Sequence, residues 1–354
     1  MRVALIAPPF ISVPPKIYGG TELFLAELAR GLKELGIEPI VYANGESTVD
    51  VEVRSIYQES EWPLKSDIFS SLKDINHTAW ALQDAASYCD VLHLNNAPGL
   101  ANCRFLSKPV VYTVHHAKEQ DLSEFYSFYP EVEFVTISDY QRSRENMPLM
   151  LTIHHGMDPA VYNYVEHKQE YLSFLGRLAP VKGAHLAIEV AKRSGIPLKI
   201  AGEIQPMFKG YFEQMVKPHL DGRFIEYLGE ADLALKNELL ANSKALLFPI
   251  QWDEPFGIVL IEALACGTPV IALPGGSVAE IISEGVAGHV CENVDVMVER
   301  VKNLDIPARL PRKYMEKFFS TAVMARKYKE LYEEVLARNI SPDPQLAQSE
   351  STAA

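Results

Sequence analysis

Asp253-Glu254-Pro255-Phe256-Gly257-Ile258-Val259-Leu260-Ile261-Glu262-Ala263-Leu264-Ala265-Cys266-Gly267-Thr268-Pro269-Val270 joins two apolar stretches, Ala245–Ile250 before it and Pro269–Leu273 after it. Each stretch reads as a short strand apolar on both faces, which is what a sheet covered by helices on both sides requires. Between them Pro255 and Gly257 mark a turn. A helix starts near Gly257 or Ile258, runs to Ala265 and is stopped by Gly267. Strand, helix, strand in this space is the grammar of a parallel crossover.

The same rhythm extends in both directions. The spacing predicts strands at Val3–Ala7, Pro39–Ala43, Asp90–Leu94, Val110–His115 and Phe134–Ile137, then at Tyr171–Gly176, Leu198–Ala201 and Phe224–Leu228. Amphipathic stretches such as Thr21–Leu35 and Ser66–Tyr88 lie between them. The fold class is α/β, with doubly wound parallel sheets. The pattern lapses over His155–Glu170, where a His155-Gly156-Met157-Asp158-Pro159 turn leads into a polar, aromatic stretch. The expected division is therefore a first domain over 1–160 and a second over 161–310. Arg312–Arg338 has a helical period, with an apolar stripe of Phe318, Phe319, Met324, Tyr328, Leu331, Tyr332 and Val335. The Ser, Pro, Gln and Ala tail 341–354 is expected to be disordered.

The 354 residues carry 33 Lys and Arg against 46 Asp and Glu, a net charge of −13. Residues 1–165 hold 12 of the basic and 21 of the acidic residues. That balance argues against a nucleic-acid surface and against strong docking to an anionic membrane. No apolar run reaches the roughly 18 residues of a bilayer span. The N-terminus lacks the core and cleavage site of a signal peptide, so the expected location is cytoplasmic. Cys89, Cys103, Cys266 and Cys291 lack CxxC spacing. They read as reduced thiols, with no zinc site.

Three loops carry candidate chemistry. Tyr18-Gly19-Gly20-Thr21-Glu22 precedes a helix, where two glycines let a backbone approach an anion; the alternative is a plain loop with a Thr cap. Its spacing is not G-x-G-x-x-G, and no G-x-x-x-x-G-K-[ST] exists, which disfavours dinucleotide and P-loop sites. Gly176-Arg177-Leu178-Ala179-Pro180-Val181-Lys182-Gly183 leaves the carboxyl end of a strand, the edge where open α/β sheets bind ligands. Arg177 and Lys182 together suit a diphosphate; the alternative is two solvated charges. In the third loop, Glu254 precedes the helix and Glu262 lies about one turn inside it. The first N–H groups of that helix, at Gly257, Ile258 and Val259, sit between the two carboxylates. An anion held there would have on either side an acceptor for hydroxyl groups attached to it. The alternatives are a helix-surface Glu262 and a Glu254 that merely caps the helix.

Taken in order, these motifs resemble glycosyltransferase family four, the retaining group with the GT-B fold. The resemblance covers nearly the whole chain: Gly19–Glu22, the Asp90-Val91-Leu92-His93 strand, His115, Ile137-Ser138, the His155–Asp158 turn, the Arg177/Lys182 loop, Glu254–Glu262 and Pro274-Gly275-Gly276-Ser277 with Glu280-Ile281. It implies two Rossmann-like domains facing a central cleft, with terminal helices over 311–340 crossing back to the first. It also implies that Arg177, Lys182, Gly20, Ile258 and Val259 bind the donor diphosphate. Glu254, Pro255, Phe256 and Gly257 would hold the donor sugar, and Glu262 the ribose. His115 would face the transferred sugar, with His116 as its competitor. Glu254 and His115 are thus the catalytic candidates.

The function this implies is retaining transfer of a hexose from a nucleoside-diphosphate sugar, UDP-glucose by preference, to an acceptor hydroxyl. No metal or other cofactor is expected, since no Asp-x-Asp pair is present to hold an ion on a diphosphate. The acidic first domain favours a soluble acceptor over a lipid. Tyr42–Ser70 and the aromatic His116–Tyr129 are the segments expected to select it. The alternatives are a nucleotide-sugar epimerase of the same fold and a non-catalytic nucleotide-sugar-binding protein. Of the other histidines, His93 is expected nearer the cleft, and His154 and His155 beside the interdomain turn.

Overall fold

The computed structural model describes residues 1–17, 19–62 and 67–340. Tyr18 of the first glycine turn, the start of the predicted helix at Ser66, part of Tyr42–Ser70 and the tail 341–354 lie outside the described residues. The chain forms two compact units. The first comprises Met1–Ile137, Glu145–Ile153 and the C-terminal segment from Thr321; the second comprises Ser138–Arg144 and His154–Ser320.

The first unit is a seven-stranded, all-parallel sheet of order β3-β2-β1-β4-β5-β6-β7. Its strands are β1 (Arg2–Ile6), β2 (Glu38–Tyr42), β3 (Glu52–Arg54), β4 (Val91–Leu94), β5 (Val110–Val114), β6 (Glu133–Thr136) and β7 (Met150–Thr152). Every side chain of β4, β5 and β6 is buried, as continuous apolar strands between two helical layers require. Helix Gly20–Glu34 covers one face. On it, Phe24, Leu25 and Leu28 share a core with Met324, Tyr328, Leu331, Tyr332 and Val335 of the last helix, Thr321–Ile340.

The second unit is a six-stranded parallel sheet of order β10-β9-β8-β11-β12-β13. Its strands are β8 (Leu172–Leu175), β9 (Leu198–Ala201), β10 (Ile225–Tyr227), β11 (Ala245–Phe248), β12 (Val270–Ala272) and β13 (Gly288–Val290). In both sheets the strand order reverses beside the first strand, between β1 and β4 and between β8 and β11. Those two switch points are where an open doubly wound sheet leaves a crevice.

The C-terminal helical stretch is two helices, Arg309–Phe318 and Thr321–Ile340. The break falls at Phe319-Ser320, where Met157 donates its backbone N–H to the Phe319 carbonyl at 2.9 Å. Only the second helix belongs to the first unit, whereas Phe318 and Phe319 of the predicted stripe belong to the second. The chain leaves the first unit at Ile153, seven residues ahead of the expected boundary at 160, and it has already visited the second unit at Ser138–Arg144.

Candidate active site

The loops after β8 and β11 meet because the two strands are direct neighbours, paired Ala245 to Leu172 and Leu246 to Ser173. Gly183 ends the first loop in a left-handed conformation, φ 76°, with its backbone against Pro249; an added Cβ would lie 2.0 Å from the Pro249 carbonyl oxygen. The Gln251 N–H donates to the Val181 carbonyl at 2.7 Å. Only glycine permits this approach, and the approach sets Lys182 beside the Glu254 loop.

Glu254 is 7% exposed and its placement is over-determined. Its N–H donates to the Trp252 carbonyl at 3.1 Å, and its own carbonyl accepts from Ser277 N at 2.9 Å. Gly276, at φ 59°, lies so close to the Glu254 backbone that an added Cβ would fall 2.2 Å from the Glu254 carbonyl oxygen. The Pro274-Gly275-Gly276-Ser277 turn therefore braces Glu254 from behind. In front, Glu254 Oε2 accepts from Lys182 Nζ at 2.5 Å and from Trp252 Nε1 at 3.0 Å. Pro255 and Phe256 are buried. The Phe256 ring packs on His155, with centroids 5.0 Å apart, and on Phe319 at 6.1 Å.

Gly257, at φ 80°, starts helix Ile258–Ala265, and no side chain caps it. The first N–H groups of the helix, those of Ile258 and Val259, have no partner inside it, and the positive end of its dipole is turned toward the Glu254 loop. One turn on, Glu262 is 3% exposed, so it is no helix-surface residue. Its Oε1 accepts from Lys236 Nζ at 3.0 Å and from the Tyr162 hydroxyl at 3.1 Å. The two carboxylates thus share one plan, each held by one lysine and one neutral donor. Arg177 is half-buried, with Nη1 3.5 Å from Gln205 Oε1.

Trp252, Lys236, Tyr162 and Glu280 had no assigned role at the level of sequence. Glu280 accepts from Asp139 N at 2.8 Å, from Tyr140 N at 3.1 Å and from His154 Nε2. Burial pushes its carboxyl up, but those three donors outweigh burial and hold it below the usual carboxylate range. It is the anchor that ties Ser138–Arg144 into the second unit.

Gly20 and His115 lie in the first unit. Gly20 opens helix Gly20–Glu34, whose N-cap is Gly19 without a side-chain cap, so Thr21 is not the cap. His115 follows β5, with Nε2 2.9 Å from Asn95 Oδ1 and its ring 4.9 Å from Phe24. Asn95 follows β4, placing this pair beside the switch point of the first sheet. His116 Nε2 is 2.6 Å from the Tyr126 hydroxyl.

One expectation is corrected here. His93 lines no opening: it is wholly buried, with Nδ1 2.7 Å from the Tyr332 hydroxyl and Nε2 2.8 Å from Thr113 Oγ1. The aromatic segment after His116, for which a packed helix was the open alternative, contains helix Gln120–Ser127, with Tyr126 and Tyr129 in the core and Phe128 exposed. All four cysteines are free and buried. Among the described residues no group of three His, Cys, Asp or Glu side chains is placed to hold a metal ion. No described helix is long and apolar enough to cross a membrane.

Residues 18–142 match the family model for glycosyltransferase family 4, and residues 163–304 match that for glycosyl transferases group 1. The chain belongs to glycosyltransferase family 4. A curated relative, glycogen synthase of Mycobacterium tuberculosis, is 30% identical over 173 residues, 46% of this chain and 41% of the relative. The chain thus spans about two fifths of that relative's length. Among solved structures, sucrose-phosphate synthase from Thermosynechococcus elongatus superposes with a TM-score of 0.78 at 15% identity, covering 95% of this chain and 99% of that one. Anabaena HepE in complex with UDP and glucose superposes with a TM-score of 0.73 at 17% identity, covering 94% of this chain and 100% of that one. At those identities the likeness establishes the fold, and this family 4 chain has the two parallel-sheet α/β domains of GT-B.

Proposed function

We propose that this chain is a retaining glycosyltransferase that moves a hexose from a nucleoside-diphosphate sugar to an acceptor hydroxyl, with UDP-glucose as the first donor to test. The observation that carries this is the convergence, at the β8/β11 switch point, of Lys182 and an uncapped helix N-terminus with braced carboxylates, Arg177 lying on the same loop as Lys182. The cations and the helix end suit a diphosphate. Glu254 and Glu262 suit hydroxyl groups at its two ends, the sugar and the ribose. HepE, a structural neighbour, is a protein crystallised with UDP and with glucose, which makes uridine the base of first choice.

In this mechanism departure of the diphosphate builds negative charge on its β-phosphate. Arg177, Lys182 and the N–H groups of Ile258 and Val259 are preorganised to stabilise that charge as it develops. The acceptor oxygen attacks on the face from which the diphosphate leaves, so configuration is retained. Glu254 positions the sugar through its hydroxyls. The chain's own cations carry the phosphate charge, so turnover is expected to persist in EDTA.

The test is a thermal-shift screen of UDP, GDP, ADP and their sugar conjugates, followed by product analysis with the donor that binds. A ligand bound only by the native state raises the melting temperature. Transfer to an acceptor, or slow donor hydrolysis in its absence, is the expected result. Tight binding with neither reaction would leave a binding protein instead.

A further inference from the structure

Trp252 touches both members of the central ion pair. Its indole N–H donates to the same Glu254 oxygen that receives Lys182, at 3.0 Å, and its ring centroid lies 4.9 Å from Lys182 Nζ. The tight turn made by Glu254 N–H on the Trp252 carbonyl brings the two side chains to one side of the loop. Lys182 faces competing demands. It is the counter-ion of a nearly buried carboxylate, and, on the proposed function, it is also needed on the diphosphate. Moving it away would strip Glu254 of its charge partner, and an unpartnered buried carboxylate is costly. The indole N–H is the contact that does not have to move. The ring face, meanwhile, gives the ammonium an attractive surface on which to swing.

We propose that Trp252 is a positioning residue that holds Glu254 toward the donor sugar while Lys182 is handed to the diphosphate. Its effect is therefore confined to ligands that carry a sugar. A residue that merely supported the loop would affect every ligand of the site alike.

This inference rests on the proposed function, and the experiment separates the two. Of UDP, GDP and ADP, the nucleoside diphosphate the wild-type chain binds most tightly is titrated by calorimetry alongside its glucose conjugate. Trp252→Phe keeps an aromatic face and loses the N–H. It should weaken the sugar conjugate about tenfold while leaving the bare diphosphate within about twofold, as expected for one lost hydrogen bond to a charged group. Trp252→Gln, which restores an N–H donor, should recover part of the loss. Equal weakening of both ligands in Trp252→Phe, or a glutamine variant no better than phenylalanine, would overturn the proposal. Failure of the wild-type chain to bind any of these ligands would overturn the proposed function and this inference with it.

Discussion

Lys182 Nζ lies 2.5 Å from Glu254 Oε2, so the lysine and the glutamate assigned to opposite ends of a sugar phosphate neutralise each other across 72 residues of sequence. Their side chains are only 16% and 9% exposed. The pair keeps a buried carboxylate satisfied.

Removing either partner should therefore be costly in different ways. Lys182→Ala takes away a phosphate contact and strands Glu254, whereas Glu254→Gln keeps the shape and frees the lysine. Both variants should lower turnover by at least about two orders of magnitude, comparable to losing one preorganised donor at a developing charge. The glutamine variant should bind the bare nucleoside diphosphate as well as wild type or better, because its lysine has no competing partner. Steady-state rates and calorimetric titrations check both, and near-normal turnover in the two variants would remove the assignment.

Glu262 repeats the arrangement one helical turn deeper, between Lys236 and the Tyr162 hydroxyl. Assigned to the ribose, it should matter to nucleosides and not to phosphate alone. Glu262→Gln is expected to weaken a nucleoside diphosphate about tenfold and to leave inorganic pyrophosphate binding unchanged. A loss shared equally by pyrophosphate would place Glu262 in the scaffold instead.

The buried His93 makes a pH prediction. Burial pushes its imidazole down to about 3, while an unfolded histidine titrates near 6.5. Between those values the unfolded chain holds a proton that the folded chain does not. Stability from this group is therefore present above about pH 6.5 and is lost as pH falls, by up to about 1.4 kcal/mol per pH unit. Glu22 acts in the opposite sense. Burial raises its carboxyl from 4.5 to about 7, so its contribution is present at low pH and is lost as pH rises through that window. Melting temperatures between pH 4.5 and 6.5 should accordingly drop less on acidification in His93→Gln than in wild type, and more in Glu22→Gln. Parallel curves for the three proteins would contradict both shifts.

What the sequence made legible follows from what periodicity can carry. Strands buried on both faces, such as Val91–Leu94 and Ala245–Phe248, stand out as apolar runs. β3, β7 and β13 have three residues each and are largely half-buried, so they left no run to read. The position of the break between the last two helices was hidden because a stripe of apolar residues continues through Phe319, although Phe319 belongs to the second unit. Arg177, Lys182 and Glu254 stood out because they sit on loops at the carboxyl edge of a sheet, and Glu262 because it lies one turn inside the helix that follows. Their partners were not: nothing local ties Lys236 to Glu262, and only the packing of helix Leu233–Asn242 beside helix Ile258–Ala265 brings them together. Glu280 was quoted in a motif, yet its bonds to Asp139 and Tyr140 cross more than 130 residues and depend on the chain's early excursion into the second unit.

Asn95 fixes how His115 can be used. The Asn95 amide nitrogen donates to the carbonyls of Ile6 and His93 at 3.2 and 3.4 Å, so its oxygen is the atom facing His115 Nε2 at 2.9 Å. An amide oxygen only accepts, so Nε2 carries the proton, and in the neutral ring Nδ1 is then the acceptor. Long-range proton–nitrogen correlation spectra of histidine-labelled protein near pH 8 should show His115 as the Nε2–H tautomer, assigned by its loss in His115→Gln. Asn95→Asp would place a carboxylate at the same atom. An adjacent negative charge favours the imidazolium, so the apparent pKa of His115 should rise and the acidic limb of the transfer rate should move to higher pH. An Nδ1–H tautomer in the wild-type spectrum would refute this orientation of Asn95 and His115.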